Sequence, residues 1–247
     1  MAFIPISDDN PLRAIHFQWV TFGLIAANVI VFLLQLAGDP VRGDAAMASF
    51  ALIPSELFHN PTAYGSDAAP AQSLAVPEWA TLITYQFLHG GVLHLASNML
   101  FLWVFGDNVE DALGHLRFLV FYLLCGVAGG LAHALFVPSS PLPLVGASGA
   151  IAGVIAAYLM LHPRVRVWVL AFRILPLRVP ASVVLGIWAA TQLVMVLPGF
   201  IHADEVAWWA HVGGLAAGAV LVLFMRRPGV PLFDRGLGQP AIERRYS

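Results

Sequence analysis

Residues 146–161 read Gly-Ala-Ser-Gly-Ala-Ile-Ala-Gly-Val-Ile-Ala-Ala-Tyr-Leu-Met-Leu. This run carries no charge, and its only polar side chains are Ser148 and Tyr158. The rest of the chain has the same character. Of 247 residues, 59% are hydrophobic and 11% charged, and the mean hydropathy is +0.80. A soluble domain averages about 45–50% apolar and about a quarter charged. So much apolar surface cannot be hidden in one soluble core, so the fold class expected is an all-α polytopic membrane protein. The composition excludes a disordered chain. A formal net charge of −2 gives no basis for a nucleic-acid partner, and the lone Cys125 excludes a disulfide framework within the chain.

A hydrocarbon core of about 30 Å needs about 20 helical residues. Six spans are expected: Phe17–Ala37, Val92–Phe105, Leu116–Val137, Ser148–Leu161, Pro180–Leu197 and Val206–Met225. The second and fourth are short. All twelve cations are Arg, and cytoplasmic loops retain Arg. With the N-terminus inside, eleven of the twelve fall on the inner side and only Arg42 outside. Both termini are then cytoplasmic. The domain organisation expected is a cytoplasmic segment 1–16, a six-span domain 17–225 with an external loop 38–91, and a disordered cytoplasmic tail 226–247. The loop's Phe50, Leu52, Phe58 and Trp79 suggest that it folds partly into the outer leaflet. The segment Arg164–Arg178 is expected to be ordinary inner-leaflet surface.

Polar residues inside spans are expensive and mark function or pairing. Three segments carry them: His94-Leu95-Ala96-Ser97-Asn98, Gly146-Ala147-Ser148-Gly149 and Ala210-His211-Val212-Gly213-Gly214. At 1.5 Å per residue, Ser148 and His211 each lie about 21 Å from the inner boundary, and His94 about 20 Å. All three therefore sit about 10 Å below the outer edge of the core. A shared depth is what a single site requires. It also demands that Pro138–Val145 dip inward, since irregular backbone at membrane depth must lie against protein or water.

His211, Gly214 and Gly218 share one helix face. Gly146, Gly149, Gly214 and Gly218 are read as close-packing positions, with Gly214 and Gly218 forming a small-xxx-small pair. Packed together, these faces bring Ser148 near His211, the geometry of an activated nucleophile and its base. Ser148 opens a helix whose free amides and positive end suit an oxyanion. His94 and Asn98 point the same way and offer two more donors. Each motif has a plainer reading: Gly-Ala-Ser-Gly as helix packing, a membrane His as a proton relay, His133 as packing. The polar set also suits a small-solute pathway. The HExxH zinc signature is absent, and no metal or cofactor is called for.

On these residues, together with Thr84-Tyr85-Gln86-Phe87-Leu88-His89, the chain resembles the rhomboid intramembrane serine proteases over about residues 17–225. The resemblance implies Ser148 as nucleophile, His211 as general base and acid, and an oxyanion hole of His94, Asn98 and the Ser148 amide. It implies membrane-protein substrates cut near the outer face, a lipid bilayer as surroundings, and a prokaryotic plasma membrane. The alternative is a non-catalytic rhomboid-like protein that binds client helices. Two positions depart from the pattern. The first external loop reads Trp79-Ala80 in place of Trp-Arg, and Ala152 stands where some members carry a Tyr beneath the His ring. The fifth span and Pro198–Trp209 are expected to gate substrate entry.

Overall fold

The computed structural model of the chain describes residues 3–37, 49–58, 76–171, 174–197 and 207–233. Among the described residues, its long helices are α1 (Trp19–Ala37), α2 (Val92–Leu113), α3 (His115–Phe136), α4 (Ser148–Leu161), α5 (Ala181–Met195) and α6 (Trp208–Met225). Three of them, α1, α3 and α6, are long and apolar enough to cross a membrane. A fourth span results if α2 is joined to the helical stretch Glu78–Phe87, from which it bends by 82°. α4 and α5 are shorter apolar helices. The bundle exposes large apolar side chains, among them Leu93 at 85% and Phe224 at 79%. In a membrane protein that surface faces lipid, which is as apolar as leucine itself.

The helix opened by Ser148 lies at the centre. α4 touches α2, α3, α5 and α6, and every residue from Gly149 to Tyr158 is buried. An apolar helix without a polar face is stable only when enclosed in this way.

Two boundaries differ from the sequence expectation for a physical reason. α2 does not stop at Phe105 but runs on to Leu113, so the short second span is corrected to a long helix. Two of the acidic residues beyond Phe105, Glu110 and Asp111, serve other segments. Fully buried Glu110 accepts the amides of Val20 and Thr21 at 3.0 and 2.8 Å and the Thr21 hydroxyl at 2.7 Å. Asp111 accepts the amides of Arg13, Ala14 and Ile15. The free N–H groups at the start of α1 are thus satisfied by α2. The start of the tail is also corrected. The Arg227 amide bonds Ala112 O at 2.9 Å and the Phe233 amide bonds Met160 O at 2.6 Å, so residues 226–233 are held against the helix ends. Residues 234–247 lie outside the described residues.

The all-α expectation is amended by a three-stranded antiparallel sheet in the order β1 (Phe3–Asp8), β2 (Arg166–Ala171), β3 (Leu175–Pro180). Register runs Val167↔Val179 and Val169↔Leu177 between β2 and β3, and Ile4↔Leu170 between β1 and β2. The alternation that sequence reading passed over is plain in β2. Val167, Val169 and Ala171 are buried while Arg166 and Trp168 face out, the period-two pattern of a half-buried strand. β1 also carries Asp8, whose carboxylate receives the Tyr158 hydroxyl from α4. Burial pushes the Asp8 carboxyl up to about 6, offset in part by that hydroxyl, the Asn10 amide and His162.

The segment between α1 and α2 is folded where it is described. Leu52 and Leu144 exchange backbone hydrogen bonds at 3.1 and 2.8 Å, and the Ser55 amide bonds Ser140 O. The stretch before Ser148 thereby gains backbone partners from protein rather than lipid.

Candidate functional site

The site begins at the turn into α4. Gly146 has φ +119°, a region that L side chains rarely enter. Its N–H bonds Tyr85 O at 2.9 Å, and a Cβ there would stand 2.7 Å from His94 Nε2. Its role is this turn and the close approach of His94, not helix–helix packing. Tyr85 ties the turn to α3 by donating its hydroxyl to Gly126 O at 2.7 Å. Ser148 follows as the first residue of α4, where the backbone amides lack intrahelical acceptors.

α6 is drawn onto α4 by glycine. A Cβ on Gly214 would overlap the Gly149 carbonyl, and one on Gly218 would overlap that of Gly153. Backbones that close let side chains one turn further up meet. Ser148 Oγ lies 2.9 Å from His211 Nε2. The other ring nitrogen, Nδ1, lies 2.7 Å from Gln192 Oε1 on α5. His211 is 9% exposed, with its ring centroid 5.8 Å from that of Trp188 and 6.0 Å, near perpendicular, from that of Trp208.

His94 and Asn98 enter from the first turns of α2. Asn98 Nδ2 is 3.0 Å from His89 Nε2, and the His94 ring makes an edge contact with His89 at 5.1 Å. An amide NH₂ carries two hydrogens, so Asn98 can bond His89 and still present one N–H to a ligand. His94, Asn98, Ser148, His211, His133 and Gln192 line one cavity of about 1400 Å³. The structure therefore brings together the four side chains singled out from sequence and adds two partners that sequence reading left unused. Gln192 carried a signal, being an amide inside an apolar helix. His89 stood within the quoted motif without a role. Of the expected gate, Trp208 and Trp209 are described, with Trp209 stacked on Phe136 at 3.6 Å, while residues 198–206 lie outside the described residues.

The Rhomboid domain matches residues 76–228, which hold every side chain of this cavity. The chain belongs to the rhomboid family. Among its relatives, rhomboid protease GluP of Bacillus subtilis is 36% identical over 140 residues, covering 56% of this rhomboid and 24% of the relative. RHOMBOID-like protein 4 of Arabidopsis thaliana is 37% identical over 228 residues, covering 85% and 54%. RHOMBOID-like protein 6, mitochondrial, of the same plant is 28% identical over 222 residues, covering 82% and 67%. This rhomboid thus spans about a quarter of the Bacillus relative's length and half to two thirds of these two plant relatives.

Proposed function

We propose that this rhomboid is an intramembrane serine endopeptidase that cleaves membrane-protein helices near the outer face. The 2.9 Å approach of Ser148 Oγ to His211 Nε2 carries the reading. Ser148 attacks the scissile carbonyl as His211 takes its proton. The oxyanion is held by the Ser148 amide, His94 and the free N–H of Asn98. His211 then protonates the leaving amine, and water entering through the cavity releases the acyl group. A substrate helix must unwind to present its backbone. Small and helix-breaking residues near the cut ease this, because unwound backbone in lipid is costly. The Bacillus relative is named a protease, which supports the same chemistry.

The topology proposed is six spans, α1–α6, in a prokaryotic plasma membrane with both termini cytoplasmic. α4 and α5, with 14 and 15 residues, cover about 21–23 Å at the helical rise. Each reaches full depth only with the irregular segments at its ends. The domain would be residues 17–225, flanked by the N-terminal segment and the tail, and α5 with the chain up to Trp209 would admit substrate.

The test is labelling of the purified protein by a serine-directed fluorophosphonate, with cleavage of a model transmembrane substrate alongside. The parent labels and cleaves; Ser148→Ala and His211→Ala do neither. Unlabelled parent protein, or cleavage surviving Ser148→Ala, would overturn the proposal in favour of a non-catalytic client binder or a different nucleophile.

A further inference from the structure

The mechanism above leaves Gln192 unused, although it is 3% exposed and sits in the middle of an apolar helix. Both ends of its amide are engaged. Nε2 donates to Trp188 O, one turn back on α5, at 2.9 Å. Oε1 lies 2.7 Å from His211 Nδ1. These two contacts fix each other. A backbone carbonyl can only accept, so the NH₂ group must face Trp188, and the carbonyl oxygen must then face the imidazole. An oxygen there accepts only from Nδ1–H. Neutral imidazole has one N–H and one lone pair. With the proton on Nδ1, the lone pair is on Nε2, facing Ser148 Oγ at 2.9 Å. The α5 backbone thus selects the tautomer in which His211 can take a proton from Ser148.

Resting on the dyad reading above, we propose that Gln192 is the positioning residue of this rhomboid: from α5 it holds His211 in the Nδ1–H tautomer with Nε2 aimed at Ser148. It does the orienting work of a third triad member with a neutral amide, so it fixes geometry without a counter-charge for the imidazolium. It also ties the base to a helix other than its own. His211 is correctly oriented while α5 is seated against α6, because the contact weakens steeply once the heavy atoms separate beyond hydrogen-bond range. The plainer role is that Gln192 fills space and satisfies itself on Trp188. That role requires nothing of Oε1, and the two make different predictions.

The experiment uses the full chain in detergent with a fluorogenic transmembrane substrate. Gln192→Met keeps length and removes the acceptor. It should lower kcat by at least about tenfold, since a wrong imidazole tautomer is severely damaging in serine hydrolases. KM should stay within about twofold, the signature of a lost transition-state interaction. Fluorophosphonate labelling of Ser148 should slow in proportion. Gln192→Glu, whose protonated carboxyl can still donate to Trp188 O while its other oxygen accepts from Nδ1, should recover much of the lost kcat. Parental kcat in Gln192→Met, or a Glu variant as slow as Met, overturns the proposal. Should Gln192→Met not fold, the ¹⁵N spectrum of histidine-labelled parent decides. The His211 resonances, assigned by loss in His211→Ala, should show Nδ1 protonated, and Nε2 protonation overturns it. If Ser148→Ala still cleaves, the dyad reading fails. If it is inactive and Gln192→Met is unimpaired, only the positioning role falls.

Discussion

Gly214 on α6 faces Gly149 on α4 so closely that a single added carbon would overlap the Gly149 carbonyl oxygen. The relationship lies one turn from the Ser148–His211 contact and sets it. Helices of different spans approach this far only where side chains are missing, and His211 precedes Gly214 by three residues on the same helix face.

Gly214→Ala should therefore impair both stability and the site. Overpacking of a filled interface costs about 1–3 kcal/mol. A displacement of about 1 Å between reacting groups can cost about 10²-fold in rate. The thermal midpoint in detergent should fall, and fluorophosphonate labelling of Ser148 should slow further than unfolding alone explains. Gly186→Ala is the control, since a Cβ there meets nothing within 4 Å; it should leave labelling unchanged and hold or raise the midpoint, because Ala favours a helix interior over Gly.

Asn98→Ala should lower kcat by about 10²–10³ with KM little changed, as loss of one oxyanion donor does in soluble hydrolases. His89→Leu should give a smaller loss of the same kind. It leaves the Asn98 amide in place but removes its 3.0 Å partner. Steady-state kinetics on both variants decide this, and a larger effect from His89→Leu than from Asn98→Ala would reverse the assignment of donor and support.

The legible part of this molecule was the part written in polar residues against an apolar background. Ser148, His211, His94 and Asn98 stood out because lipid tolerates few such groups, and helical rise placed them at one depth. Gln192 obeys the same rule but its role is not legible, because its partner, His211 Nδ1, sits 19 residues away on another helix and no spacing pattern joins them. The end of α2 is hard to read from sequence because Asp107, Glu110 and Asp111 look like a helix entering water. In the folded chain two of these carboxylates serve backbone amides nearly a hundred residues earlier. The sheet was hidden because β1 and β2 are distant in sequence, and Arg166–Ala171 is too short for its alternation to stand out from six apolar helices.

Glu110→Ala should be among the most destabilising substitutions outside the cavity. It strips the Val20 and Thr21 amides and the Thr21 hydroxyl of their acceptor in a fully buried position. Each orphaned buried donor costs about 1–3 kcal/mol. The expected result is a large drop in thermal midpoint with kcat per folded molecule preserved, because Glu110 lies near the far end of α2 from His94. Glu110→Gln, which keeps an acceptor oxygen, should recover part of the loss. A midpoint unchanged in Glu110→Ala would mean that water reaches the start of α1.

Asp8 offers a pH test of how the sheet is fixed to the bundle. Its carboxyl titrates at about 6 in the folded chain against an ordinary 3.8, raised chiefly by burial. Between those two values the folded state holds a proton that the unfolded state has released, so stability falls as pH rises through this window. The full contribution is present below pH 3.8 and lost above about 6; it is at most about 3 kcal/mol. His162 and Asp9 also act on this carboxyl electrostatically, so the comparison with Asp8→Asn is what isolates it. The amide carbonyl still accepts from the Tyr158 hydroxyl and never ionises. Asp8→Asn should therefore match the parent's thermal midpoint near pH 4 and exceed it at pH 7. A variant less stable than the parent at pH 7 would show that the Asp8 carboxylate anchors β1 through its charge, and the burial argument would fail.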